Sequence, residues 1–175
     1  LIVFAFLLAG TLFSYQFGSY VKDEKQQQLE STASAVASQT TVAAQALDDE
    51  LVRELYNVYI TQIANSDQVS ILVANPSGDV VFYAAPDELE KPKKDSIGQS
   101  SLRAVLRHGQ YSGLSTLGGV LPSTSYFVGA ACLDENEQVT AYVFVTSPAS
   151  VITDMLGNVS RMFILVMLIA LVGTL

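Results

Sequence analysis

The chain has 175 residues, 50% of them hydrophobic, with 9 Lys/Arg against 17 Asp/Glu and a net charge of −8. An acidic balance with no basic stripe excludes nucleic acid as a partner and disfavours adsorption to an anionic lipid surface. The single cysteine, Cys132, excludes an internal disulfide and points away from the stapled small ectodomains of animals, towards a bacterial surface.

Charge is confined to the middle of the chain. Residues 1–21 (LIVFAFLLAGTLFSYQFGSYV) carry none, and neither do residues 162–175 (MFILVMLIALVGTL). A bilayer core requires about 20 apolar residues of a helix. Residues 1–21 are therefore predicted to be a first transmembrane helix, and 162–175 a second, truncated one. A cleaved signal peptide would have a shorter apolar core and a small-residue cleavage site; here the apolar run flows into helix-forming sequence. Residues 22–161 form the domain between the two segments. Lys22, Lys25 and Arg161 are few for loops kept in the cytoplasm, which places this domain outside a bacterial plasma membrane. The chain does not begin with Met, and its last run stops while still apolar, so an excerpt of a longer protein is expected.

From Tyr15 to Asn65 there is no Pro and the only Gly is Gly18. Ala, Gln, Glu and Leu dominate, and these favour helix. One long helix over 22–65 is predicted, continuous with the first apolar segment. Leu29, Ala33, Val36, Thr40, Ala43, Leu47, Leu51, Leu55 and Val58 recur mostly at alternating four and three, the seam of a coiled coil. Two successive fours after Leu47 shift the stripe, as a stutter does. The seam suits either a helix lying across its own domain or a parallel homodimer. Asp48, Asp49 and Glu50, with Glu54, form an acidic patch; consecutive positions splay around a helix, so a solvated face is expected rather than a cation cage.

The period then changes to strand over 69–147. Segments 69–74 and 80–84 are short apolar runs joined by Asn75-Pro76-Ser77-Gly78, which fits a type I turn. Residues 86–99 read as a polar surface loop. Ser100 or Ser101 is predicted to cap a short helix that buries Leu102, Val105 and Leu106 and ends at Gly109. Strands follow over 111–117, 125–133 and 138–147. Both faces of the last are largely uncharged, as expected of a strand covered on both sides. Pro148 stops the sheet, and an exit helix over 149–161 runs into the second apolar segment. The predicted class is α+β, a five-stranded antiparallel sheet with helices packed on it.

Candidate chemistry is sparse. Arg103 and Arg107 are four apart on one helix and suit bidentate contacts to a carboxylate or phosphate. With Tyr111 and Tyr126 they are the candidate ligand-binding residues, against the plainer reading of solvated surface cations. His108, the only histidine, sits at a helix C-terminus where a cation is favoured. Cys132 lies in an alternating apolar run and is expected to be a buried small hydrophobe. One His and one Cys make no zinc site. Gly118-Gly119 lacks the Lys and helix of a phosphate loop. No catalytic residue, metal site or cofactor is predicted.

Three segments carry a resemblance: 71–84 (ILVANPSGDVVFYA), 97–119 (IGQSSLRAVLRHGQYSGLSTLGG) and 126–156 (YFVGAACLDENEQVTAYVFVTSPASVITDML). Together they resemble the extracytoplasmic PAS-like sensor region, of the Cache or PDC type, found on bacterial membrane-bound sensor histidine kinases. The resemblance implies a two-component signal-input module that detects an envelope cue, a small ligand or a protein, and transmits it through paired transmembrane helices. It implies a kinase activity downstream of residue 175; the homodimer along the long helix rests on the seam alone. Similar modules sit on chemoreceptors and cyclic-nucleotide enzymes; an extracellular domain of a multi-span transporter or permease is a further alternative. Where similar sensors often carry Pro after the Val-Gly strand, Val128-Gly129 is followed here by Ala130-Ala131-Cys132. The basic and hydroxyl cluster of citrate and dicarboxylate sensors is not found.

Overall fold

A computed structural model describes residues 2–44, 50–86, 89 and 91–173. Its elements are α1 (Ile2–Ala44), α2 (Glu50–Asp67), β1 (Ser70–Ala74), β2 (Val80–Ala84), α3 (Gln99–His108), β3 (Gln110–Ser115), β4 (Ser125–Leu133), β5 (Val139–Pro148) and α4 (Ala149–Gly173). The chain divides into two compact units, Gln26–Pro148 and the pair of end segments Leu1–Lys25 and Ala149–Leu175.

The larger unit is built on an antiparallel five-stranded sheet in the order β2-β1-β5-β4-β3. β5 lies at its centre because it pairs with both β1 and β4. That position explains the two uncharged faces of the strand, since both are covered. Side chains alternate, so Val143 and Val145 point one way, and Tyr142 and Phe144 the other.

On the first face Ile71, Val73, Val128, Cys132, Ala141, Val143 and Val145 pack against Leu29, Ala33 and Val36 of α1 and Tyr56, Ile60 and Ala64 of α2. The helical residues recur at three and four, which lines them on one side of each helix. On the second face Leu72, Phe127, Tyr142 and Phe144 pack against Leu102 and Val105 of α3 and against Ile97, Leu117, Val120 and Leu121. The last four come from connecting segments.

The predicted rod over 22–65 is two helices, α1 and α2, laid side by side. The Thr40 and Tyr56 hydroxyls are hydrogen-bonded although 16 residues apart; a straight helix would separate them by about 24 Å. At the other end Thr32 donates to the Asp67 carboxylate at 2.7 Å and Gln28 to the Asp67 carbonyl at 3.1 Å. The two helices are thus antiparallel. Burial of apolar stripes from both helices on one sheet outweighs the local preference for an unbroken helix. Leu47, Asp48 and Asp49 lie outside the described residues.

Gly98, with φ −60° and ψ 133°, is the N-cap of α3, and no side chain caps it. The predicted cap residues Ser100 and Ser101 lie inside the first turn, and Ser101 is buried. Gly109 follows the helix at φ 74°, a conformation that favours glycine. The predicted 75–78 turn is closed by the Gly78 N–H donating to the Asn75 carbonyl at 2.9 Å.

In the smaller unit the first part of α1 meets α4. A Cβ at Gly10 would fall 2.5 Å from the Phe163 ring, and one at Gly18 would fall 3.7 Å from the Leu156 methyls. Rising numbers on α1 meet falling numbers on α4, so the helices are antiparallel. The Phe13 ring stacks on Phe163 at 6.1 Å and on Phe17 at 5.7 Å. The predicted exit helix and second apolar segment are one continuous helix, α4. Among the described residues one helix is long and apolar enough to cross a membrane, the 21 residues Ala149–Ile169.

Candidate functional site

The face of the sheet under α3 is closed by the protein's own side chains. Gly129, in the middle of β4, is what lets α3 seat there. A Cβ at that position would lie 2.5 Å from a Val105 methyl and 2.7 Å from the Phe144 ring. A second close approach holds the flanking segments together: the Gly98 N–H donates to the Leu117 carbonyl at 3.0 Å, and Gly118 lies against Gly98. The Lys94 ammonium donates to the Gly118 carbonyl at 3.4 Å.

A cleft opens along the α3–β3 edge. It measures about 210 Å³ and is lined by Ser100, Ser101 and Ala104 of α3, Tyr111, Gly113, Leu114 and Ser115 of β3, and Phe127. The Phe127 ring forms its floor: it lies 6.0 Å from the Tyr111 ring, and a Cβ at Gly113 would come within 3.0 Å of it. Gly113 therefore keeps the cleft open beside a ring that reaches under β3. The lining combines an aromatic floor with serine hydroxyls, a composition that suits a small amphipathic molecule.

The sequence-derived site residues are only partly brought together. Tyr111 lines the cleft, and its ring stacks on His108 at 6.0 Å. Arg103 and Arg107 are exposed on α3. Their positions on the helical wheel flank those of Ser100 and Ala104 without lining the cleft. Tyr126 does not join them. It neighbours Phe127 on β4, so it points through the opposite face and packs against the core under α1 and α2. The alternation of the strand separates the two tyrosines. Gly113 and Phe127 were missed as site residues; an isolated glycine inside a strand pattern is the signal of close approach that marks the first.

Two buried titratable groups, Cys132 and Tyr56, sit on the face covered by α1 and α2, away from this cleft. Desolvation pushes the Cys132 thiol up to about 11, with hydrogen bonds to Thr41 and Thr40 opposing the rise. Desolvation also pushes the Tyr56 phenol up to about 12, opposed by its hydrogen bond with Thr40. Both groups stay neutral at ordinary pH, as expected of packing residues. Among the described residues no group of His, Cys, Asp and Glu is arranged to hold a metal ion.

No family model matches this chain, and no curated protein matches it. Solved structures do. The sensor domain of the V. cholerae histidine kinase DctB aligns over 83% of this chain and 57% of its own, with a TM-score of 0.57 and 10% identity. The extracellular domain of vpHK1S-Z8, a protein described as a histidine kinase, aligns over 83% of this chain and 60% of its own, with a TM-score of 0.62 and 11% identity. The ligand-binding domain of the Campylobacter jejuni chemoreceptor Tlp3, solved with L-valine, aligns over 86% and 62%, with a TM-score of 0.54 and 14% identity. The chain thus spans 57–62% of these neighbours' lengths. The fold is that of extracytoplasmic PAS-like sensor domains, with a long N-terminal helix and a five-stranded antiparallel sheet.

Proposed function

We propose that this chain is the signal-input region of a bacterial membrane-bound sensor histidine kinase. One observation carries the reading: the central strand of a sensor-type sheet, β5, runs without a loop into α4, a helix of membrane-spanning length. The sheet around β5 is then covalently continuous with α4. Residues 1–21 are read as the companion span, with the 26–148 domain extracytoplasmic and the kinase downstream of residue 175. A ligand shifts such a system only through differential affinity for two arrangements.

The α3–β3 cleft is the proposed ligand site, with Tyr111 in it and Arg103 and Arg107 beside it to meet an anionic group. The proposed partner chain is a second copy. Leu55 and Val58 of α2 are 61% and 60% exposed and three apart, an outward apolar pair that suits contact with a helix of a second protomer.

Fusion of alkaline phosphatase after residue 147 and after residue 173 tests the topology. Activity at the first site and none at the second is expected; the reverse overturns the reading. The chemoreceptor alternative rests on the Tlp3 likeness. It shares this input module and differs only in the output that follows residue 175.

A further inference from the structure

A second cleft lies on the opposite face of the sheet, under the helices rather than under α3. It measures about 190 Å³ and is framed by the end of α1, the first turns of α2, the β1–β2 hairpin and the start of β5. Tyr56, Val73 and Phe82 form its walls, and the Tyr56 and Phe82 rings meet edge to face at 5.2 Å. The space exists because Ala43, Ala44 and Ala141 contribute only methyl groups where the helix pair ends over the sheet. A register shift between Val73 and Ala74 adds to it by turning the hairpin at the same point. Arg53 and Val81, both exposed, mark its mouth.

The polar groups of the lining are already engaged. The Thr40 hydroxyl donates to the Val36 carbonyl at 2.7 Å and is bonded to the Tyr56 hydroxyl. The Thr140 hydroxyl donates to the Cys132 carbonyl at 3.2 Å. Asn75 accepts from the Asp79 N–H at 2.9 Å and donates to the Asp79 carboxylate at 3.4 Å. Among the described lining residues, the Thr40, Tyr56, Thr140 and Asn75 side chains thus each have a partner within the protein. An enclosed apolar cavity of about 150 Å³ stays dry and accepts one benzene ring; this cleft has a similar volume and opens on one side. Water therefore gains little here, and an apolar molecule of that size replaces nothing that was bound well.

We propose that the cleft between the α1–α2 pair and the β1–β2 hairpin binds one small uncharged apolar molecule of single-ring size. The site is separate from the α3–β3 cleft, and its occupancy joins α1, α2 and β5 through a common contact.

The test is titration of the full chain, in nanodiscs and labelled at alanine methyls, with toluene as the probe. Saturable shifts at Ala43, Ala44 and Ala141, with Ala104 beside the other cleft unmoved, are expected. No shift, or a shift linear in toluene without saturation, overturns the proposal. Ala141→Leu fills the space and is expected to weaken toluene binding at least tenfold. Ala43→Leu repeats the measurement should the first variant lose its dispersed spectrum; unchanged affinity in a folded filling variant overturns the site. Benzoate is expected to bind more weakly than toluene, and equal or tighter binding overturns the uncharged class.

Discussion

Gly129 stands where two layers touch through a missing side chain. Its Cβ position is already occupied by a Val105 methyl and the Phe144 ring, both buried. Neither is the far end of a flexible chain, so neither yields without moving α3 or β5. Gly129→Ala is expected to lower stability by about 1–3 kcal/mol, the usual cost of overpacking a filled core, in thermal or denaturant unfolding. A loss below a few tenths would mean that α3 sits less tightly on β4 than described. Cys132 illustrates burial acting on ionisation. Its thiol is raised from 9.0 to about 11 by desolvation, and the Tyr56 phenol from 10.0 to about 12. A folded-state pKa above the unfolded one means that the fold holds the proton more firmly. The associated stability is complete below the unfolded pKa and is lost as pH rises through the folded one. The melting temperature should therefore fall between about pH 9 and 11 from the thiol, and further towards 12 from the phenol. Cys132→Ala should remove the earlier part of that fall. An identical alkaline profile in the variant would discard the thiol as its source.

The long helix shows how one periodic stripe serves two purposes. Its four-and-three spacing runs from Leu29 to Val58 as though along a single seam. In the fold Leu29, Ala33, Val36 and Thr40 are buried on the sheet, whereas Leu51, Leu55 and Val58 face outward. Periodicity states that a helix has an apolar side; it does not state what covers that side. The two halves should respond differently to mutation. Leu29→Ala removes a fully buried side chain and should cost about 2–5 kcal/mol in an unfolding experiment. Leu55→Lys should leave stability within about 0.5 kcal/mol, as for surface changes generally, while reducing crosslinked dimer. Equal destabilisation by both would show Leu55 to be a core residue, and undiminished crosslinking would remove α2 from the proposed dimer contact. At α3 the element was legible but its start was not. Ser100 and Ser101 are good capping residues, yet the chain begins the helix after Gly98, where Gly118 comes within contact of it. A long-range glycine–glycine approach fixed the boundary.

At the scale of the molecule, the acidic middle, the uncharged ends and the change from helical to alternating period are properties of sequence alone. They suffice for two apolar helical ends, five strands near their observed positions and an α+β class, because each rests on local spacing or on composition. The hairpin turn at Asn75–Gly78 and the stop at Gly109 were legible for the same reason: backbone angles there are set by the residues themselves. The reversal between α1 and α2, the strand order β2-β1-β5-β4-β3 and the side of the sheet taken by each tyrosine depend on partners distant in sequence. Tyr111 and Tyr126 are grouped in one candidate site on the sequence alone; strand alternation and pairing put them on opposite faces. Local sequence set the type of most elements, since propensity and periodicity act over a few residues, but not the division into α1 and α2. Only tertiary packing decided which faces meet, since burying two apolar stripes on one sheet is a choice made between segments that the chain keeps far apart.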